Sequence, residues 1–133
     1  MNLNATIREL QKIFSTVFGQ RFVLHTRLDP ALNLIHGDAR EVESILVNLF
    51  MQAHEVIPAQ EVMVSTANLE VDDEAAAELS LTPGKYVRLD LLLSGWIDIE
   101  NVRQAVRKLR GALTTKATPE RGVTITLAFP QAP

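Results

Sequence analysis

The stretch that decides the fold is ESILVNLFMQAHEVIP, from Glu43 to Pro58, inside a segment of helical periodicity from about Asp38 to Ile57. Asp38 is a favourable N-cap with Glu41 three residues later, and Pro58 ends the pattern. The apolar residues recur every three or four positions, and they are Val42, Ile45, Leu46, Leu49, Ala53, Val56 and Ile57. A second, polar stripe is ordinarily the solvated face of such a helix, and it consists of Glu41, Ser44, Asn48, Gln52 and Glu55.

The composition is that of an ordinary globular domain. The 133 residues are 47% hydrophobic and 22% charged, which suits one packed core over residues 1–133 and excludes wholesale disorder. A net charge of −3 does not indicate a nucleic-acid binder or a polybasic membrane anchor. The chain has no cysteine, and therefore no disulfide framework or thiol nucleophile. Because no stretch resembles a membrane span or a secretion signal, we expect a cytoplasmic domain without membrane contact.

The remaining periodicities complete the expected architecture. Helical spacing predicts helices over about Asn4–Phe18, Asp38–Ile57 and Asp98–Arg110. Alternation predicts strands over about Arg21–Leu28, Glu61–Leu69, Lys85–Leu93, Leu113–Ala117 and Val123–Phe129. The acidic segment Val71–Leu81 is interpreted as a surface excursion, in which Asp72–Leu79 could form a short helical turn. These elements predict an α+β fold, a two-layer sandwich of a mixed, mostly antiparallel sheet with three helices on one face.

Several stretches, taken in order and spacing, resemble the ATP-binding domain of sensor histidine kinases, a Bergerat fold shared with DNA gyrase. The helix Glu43–Pro58, preceded by Gly37-Asp38, is similar to that family's asparagine box. Leu81–Asp90 is similar to the strand that leads into the family's first glycine box, and Ser94-Gly95 lies where that box should be. Gly111–Leu113 and Pro119–Pro130 are similar to the closing hairpin. The resemblance covers about Leu3 to Pro130, and it implies the same fold.

The resemblance also implies where a nucleotide would lie, along Asn48, Gln52 and Glu55. Asn48 matches the first asparagine of the family's box. In the family, the second asparagine coordinates the magnesium ion that bridges the ATP phosphates, and here that position is Gln52. Because magnesium demands near-ideal octahedral geometry, a ligand displaced by one methylene is a poor substitute.

Two further departures fall at the implied pocket. The family's aspartate that selects adenine corresponds to Leu93, which shares parity with Leu89 and Leu91 and is therefore expected to extend the core. The family's flexible lid and second glycine-rich loop are missing, since only Trp96-Ile97 separates Gly95 from Asp98. Glycine-rich loops of this kind let backbone N–H groups approach phosphate, and none remains here.

These departures predict a degenerate, catalytically inactive domain that acts as a regulatory or interaction module in two-component signalling. Its vestigial nucleotide site consists of Asn48, Gln52, Glu55, Leu93 and Gly95, with no catalytic residue, no metal site and no cofactor. The alternative is a divergent histidine kinase domain that still binds ATP and magnesium, favoured by Asn48, Glu55 and Gly95. A third possibility is a pocket for a small apolar molecule lined by Leu91, Leu93 and Trp96. As the resemblance implies, the domain could belong to a larger signalling protein.

Partner docking is the expected role of a basic ridge on the last helix. Arg103, Arg107 and Arg110 lie at helical spacing with Lys108 nearby, either as a solvated face or as a docking surface for an acidic partner. Trp96 either caps the shortened loop or anchors an interface. The implied partners are a response regulator or a kinase dimerisation domain, not nucleic acid. The scattered histidines, His25, His36 and His54, are predicted to be ordinary surface residues rather than phosphoacceptors or metal ligands.

Overall fold

The computed structural model describes residues 1–56, 60–95, 97–118 and 122–133. Its helices are α1 (Leu3–Phe18), α2 (Ala39–Val56), α3 (Asp73–Leu79) and α4 (Glu100–Lys108), with a 3₁₀ turn at Gly19–Arg21. Its strands are β1 (Phe22–Arg27), β2 (Gln60–Val71), β3 (Gly84–Leu93), β4 (Ala112–Thr118) and β5 (Gly122–Pro130). Over the described residues, these helices include none that combines the length and apolar character needed to cross a bilayer.

The strands form one mixed sheet of five, in the order β1-β2-β3-β5-β4. Strand β1 runs parallel to β2, and the β2–β3, β3–β5 and β4–β5 pairs are antiparallel. At the centre, Leu91 faces Val64 of β2 on one side and Ile125 of β5 on the other. The predicted mixed, mostly antiparallel sheet is therefore confirmed.

Three helices cover one face of this sheet and enclose the main core. The odd-numbered residues of β3 from Val87 to Leu93 point into that core, and the opposing helices contribute Ile7 of α1, Leu46 of α2 and Val106 of α4. Each of these helices presents its apolar stripe to the sheet, as their spacing predicts. The expectation of three helices on one face is confirmed.

A fourth helix, α3, lies on the opposite face of the sheet. The sequence therefore predicts one helix fewer than the described structure contains. Its Ala76 packs against Val71, Tyr86 and Ala128, a separate small cluster of buried residues. Tyr86 and Ala128 have the opposite parity from the core residues of their strands, which places this cluster on the other side of the sheet. The helix begins because the carboxylate of Asp72 accepts a hydrogen bond of 2.8 Å from the Ala75 N–H. Val71–Leu81 is therefore not merely a surface excursion.

The chain passes from α4 to β4 through Gly111, which lies very close to β5. A Cβ placed on Gly111 would stand 2.2 Å from the carbonyl oxygen of Ala128 and 3.0 Å from Val106 Cγ1. Only a residue without a side chain fits between the end of α4 and the sheet, and the close approach holds that end of the helix in place.

We expect Gly111→Ala to destabilise the fold because the β5 backbone would have to shift, at a cost of roughly 1–3 kcal/mol. Gly19→Ala is the matched control, since Gly19 has a left-handed φ of +59° but open space around it. With a ψ of −131°, Gly19 is strained by its backbone conformation alone when replaced by alanine, and that strain is partly offset by lost freedom in the unfolded chain. Urea unfolding measures both variants, and a Gly111→Ala protein as stable as the wild type would contradict the close approach at Gly111.

Candidate functional site on the polar face of α2

The polar stripe of α2 holds the residues of the predicted vestigial nucleotide site. Asn48 and Glu55 are exposed, and Gln52 is half-buried one turn after Asn48. The side-chain amide of Gln52 donates a hydrogen bond of 2.6 Å from Nε2 to Oδ1 of Asn48. The carboxamide oxygen of Asn48 therefore already accepts a hydrogen bond within the helix. In this arrangement the Asn48 and Gln52 oxygens do not point together at one site, as two ligands of a magnesium ion would.

Leu93 ends β3 and lies in the main core. Its side chain is 1% exposed, and its backbone is paired with Val123 of β5. The alternation of β3 predicts this inward direction, and the structure confirms it. Leu91 belongs to the same core, so neither leucine forms the wall of an open apolar pocket. Trp96, the third residue proposed for that pocket, lies outside the described residues.

The short connection from β3 to α4 contacts the main core through Ile97. Gly95 is half-buried, and Ile97 is 7% exposed in the main core cluster. The carboxylate of Asp98 accepts a hydrogen bond of 3.1 Å from the Glu100 N–H. Helix α4 therefore begins at Glu100 rather than at Asp98, because Asp98 forms the turn that leads into it.

Helices α2 and α4 lie side by side and leave a cleft between their outer faces. The cleft has a volume of about 220 Å³ and is lined by Glu41, Ser44, Ile45, Asn48, Val102, Ala105 and Lys108. The C-terminal end of α4 lies near the N-terminal end of α2, since a Cβ on Gly37 would be 3.6 Å from Leu109 Cδ2. Among the predicted nucleotide residues, only Asn48 lines this cleft.

The three arginines of the predicted ridge do not share one environment. Arg103 is turned toward the sheet, where its Nη1 donates a hydrogen bond of 2.7 Å to the carbonyl oxygen of Leu113, and its Nε lies 3.8 Å from Glu100. Arg107 and Arg110 are exposed. The helical spacing predicts one ridge of three arginines, but α4 ends at Lys108 and Arg110 lies beyond it, while Arg103 is hydrogen-bonded to the start of β4. The outward basic group consists of Arg107, Lys108 and Arg110.

The histidines differ in their surroundings. His25 and His36 are exposed, and His25 Nε2 lies 3.6 Å from Glu61. His54 is half-buried and its ring stacks on Phe18, with 3.7 Å between ring centroids. The prediction of an ordinary surface residue is therefore wrong for His54, because α2 carries it against the end of α1.

Comparison with known proteins concerns the fold. No family model matches the sequence. Full-length ShkA in complex with AMPPNP superimposes with a TM-score of 0.70 at 13% identity, and the match covers 99% of this chain and 30% of ShkA. The ATP binding domain of PrrB from Mycobacterium tuberculosis gives a TM-score of 0.70 at 14% identity and covers 100% of this chain. The chain has the fold of a histidine kinase ATP-binding domain.

A third neighbour, the Acinetobacter baumannii histidine kinase AdeS, gives a TM-score of 0.64 at 13% identity. This chain spans 30% of ShkA and 66% of AdeS, but 96% of the PrrB structure, which contains that domain alone. The ATP-binding domain is therefore the part of these kinases that the chain resembles in structure.

The buried position of Leu93 makes a prediction about stability. Leu93→Asp should destabilise the fold by at least about 3 kcal/mol, because it removes core packing and buries a carboxylate without a partner. Leu92→Asp is the control, since Leu92 is half-buried and points to the opposite face of the sheet. Urea unfolding compares the two variants with Leu93→Met. A Leu93→Asp protein as stable as the Leu92→Asp protein would mean that position 93 faces water.

Proposed function

We propose that this chain is a single, catalytically silent module of the histidine-kinase type, which serves two-component signalling by contact with another protein. The observation that carries the proposal is the burial of Leu93 in the main core. According to the resemblance, an aspartate in this place selects adenine. A leucine offers no acceptor, and an adenine amino group left unpaired in a buried site costs roughly 1–3 kcal/mol.

Two other features support the same proposal. Ile97 packs into the core where the resemblance expects a glycine-rich, mobile segment, so at this residue the connection rests on the core. The Gln52–Asn48 hydrogen bond engages the carboxamide pair on which magnesium binding would depend. Base selection, phosphate enclosure and metal coordination are thus each weakened by a different residue.

The alternative function is a divergent kinase domain that still binds ATP. It is favoured by Asn48, which is exposed at the wall of the α2–α4 cleft and would be available to a nucleotide after a rotation of Gln52. Under this alternative, ATP and magnesium are the cofactors, and the phosphorylated histidine belongs to another domain. Leu93 and Ile97 oppose it, because a nucleotide would have to displace core side chains.

Binding of Mg-ATP distinguishes the two functions. We expect thermal unfolding to be unchanged by millimolar Mg-ATP, with no magnesium-dependent heat in calorimetric titration. A ligand at one hundred times its dissociation constant would instead stabilise the fold by about 2.7 kcal/mol.

Substitutions on α2 show whether any binding of Mg-ATP takes place at the candidate site. If Mg-ATP does bind, Asn48→Ala and Gln52→Ala should abolish it, and Glu43→Gln, an exposed position elsewhere on α2, should not. Magnesium-dependent binding lost in the first two variants alone would establish the kinase alternative and refute the silent module.

The partner is proposed to be acidic, such as a response-regulator receiver domain or a kinase dimerisation domain. The outward basic group of Arg107, Lys108 and Arg110 supports this choice, since charge complementarity raises association rates and selects partners. Arg103 is less available because it is bound to Leu113. The proposed environment is cytoplasmic, where such partners act.

Charge reversal tests the docking surface. The double substitution Arg107→Glu and Arg110→Glu should weaken binding to a receiver or dimerisation domain from the same organism at least tenfold, or by about 1.4 kcal/mol. Wild-type binding should also weaken as salt rises through physiological ionic strength. The double substitution Arg8→Glu and Lys12→Glu at exposed positions of α1 is the control, because it changes the net charge by the same amount. If the double substitution of Arg107 and Arg110 leaves partner binding unaltered, this surface is not the docking site.

A further inference from the structure

A second cleft lies between the end of α3 and the end of α4, apart from the α2–α4 cleft. It has a volume of about 310 Å³ and is lined by Ser80, Leu81, Thr82, Arg107, Arg110 and Gly111. None of these residues lines the α2–α4 cleft. The turn that forms one wall is held by the hydroxyl of Tyr86, which donates a hydrogen bond of 2.7 Å to the carbonyl oxygen of Thr82.

The charged side chains that line this cleft are both arginines, and neither is in an ion pair with another described residue. Arg107 and Arg110 are both exposed. Ion pairs within the described part of the chain join His25 to Glu61, Arg88 to Asp90 and Arg103 to Glu100, and neither cleft arginine takes part in them. Guanidinium groups present N–H donors in a planar fork that matches phosphate oxygens, so two of them beside one cleft favour an oxyanion.

Backbone strain is concentrated at the same cleft. Within the described ranges, the non-glycine residues with positive φ are Ser80 at 56° and Arg110 at 63°, and both line it. Each ends a helix: the Ser80 N–H donates to Ala76, and the chain after Arg110 turns back so that the Gly111 N–H donates to Val106. Glycine is the usual residue at such left-handed positions. Strain retained at a cleft is a feature of functional sites.

The hydrogen-bonding groups suit a phosphate better than a carboxylate. Besides the two arginines, the cleft carries the hydroxyl groups of Ser80 and Thr82. In the described structure, neither hydroxyl donates to a protein acceptor. Two guanidinium groups and two hydroxyls offer more donors than one carboxylate accepts, whereas a phosphate monoester has three terminal oxygens and close to two negative charges.

We propose that the cleft between Ser80–Thr82 and Arg107–Gly111 binds a phosphate group, either free or as a monoester. The two arginines bind its oxygens, and the Ser80 and Thr82 hydroxyls complete the site. The site uses no residue of the vestigial nucleotide site, but it shares Arg107 and Arg110 with the docking surface proposed above.

Titration with inorganic phosphate and with O-phosphoserine, followed by amide and arginine NMR resonances at constant ionic strength, tests this proposal. We expect saturable shifts confined to residues 80–82 and 107–111. Arg107→Gln and Arg110→Gly should each weaken binding about tenfold. Arg8→Gln on α1, which loses the same charge, should leave it unchanged.

Arg110→Gly gives the sharper comparison, because glycine relieves the left-handed strain at that position. This variant should be at least as stable as the wild type in thermal unfolding and yet bind phosphate more weakly. A loss of binding together with retained stability excludes unfolding as the explanation. A merely structural arginine would instead leave phosphate binding unaltered when replaced.

The proposal would be overturned by the absence of a saturable shift, by shifts unaltered in both variants, or by equal binding of acetate and phosphate. Shifts centred on Asn48 and Gln52 would also overturn it, and would point to the nucleotide site instead. Tighter binding of O-phosphoserine than of phosphate would support a monoester ligand. Equal binding of these two would support the free ion.

Discussion

The structure depends on the packing of the apolar stripe of α2 against the sheet. The side chains of this stripe are fully buried in the main core, and they include Val42, Leu46, Leu49, Phe50 and Ala53. Because the helical period is fixed, burial of this stripe also decides which residues point away from the sheet. Asn48 and Gln52 are among these, so the interaction that stabilises the fold also sets the direction of the candidate site.

The proposed silence of the candidate site depends on the side chains that pack beside it. A pocket that binds a nucleotide needs polar groups facing a space from which water is displaced. Here, Leu93 and Ile97 belong to the core on which α4 rests. Core residues cannot become pocket walls without a loss of packing, which for a leucine costs about 2–5 kcal/mol when the side chain is truncated. The same side chains thus add to stability and reduce the space available to a ligand.

Much of the fold could be predicted from the sequence because its long elements have clear periods. The stripe of α2 and the alternation of β3 predict both the elements and their buried faces, including that of Leu93. The sequence predicts α3 only as a short helical turn, since its seven residues carry few apolar side chains and its single buried one, Ala76, is small. Its position on the other face of the sheet depends on contacts with strands distant in sequence.

Long-range contacts also explain what was missed in the candidate site. The hydrogen bond from Arg103 to the Leu113 carbonyl oxygen joins α4 to β4, and the stacking of His54 on Phe18 joins α2 to α1. A buried polar contact has the same origin, since the hydroxyl of Thr66 donates to Asn4 Oδ1, which lies 62 positions away in the chain. Spacing along one helix predicts a face, but not which neighbour covers it. The two clefts beside α4 are likewise products of tertiary packing.

Helix α4 is fixed at both of its ends, and this has a consequence for how the domain opens. Ile97 anchors its approach in the core, and Gly111 anchors its exit against the carbonyl oxygen of Ala128. A helix tethered so closely does not detach alone, since detachment would break core packing at one end and the fit against β5 at the other. We therefore expect helix α4 to unfold together with the sheet, with its amide protons exchanging alongside those of the core strands.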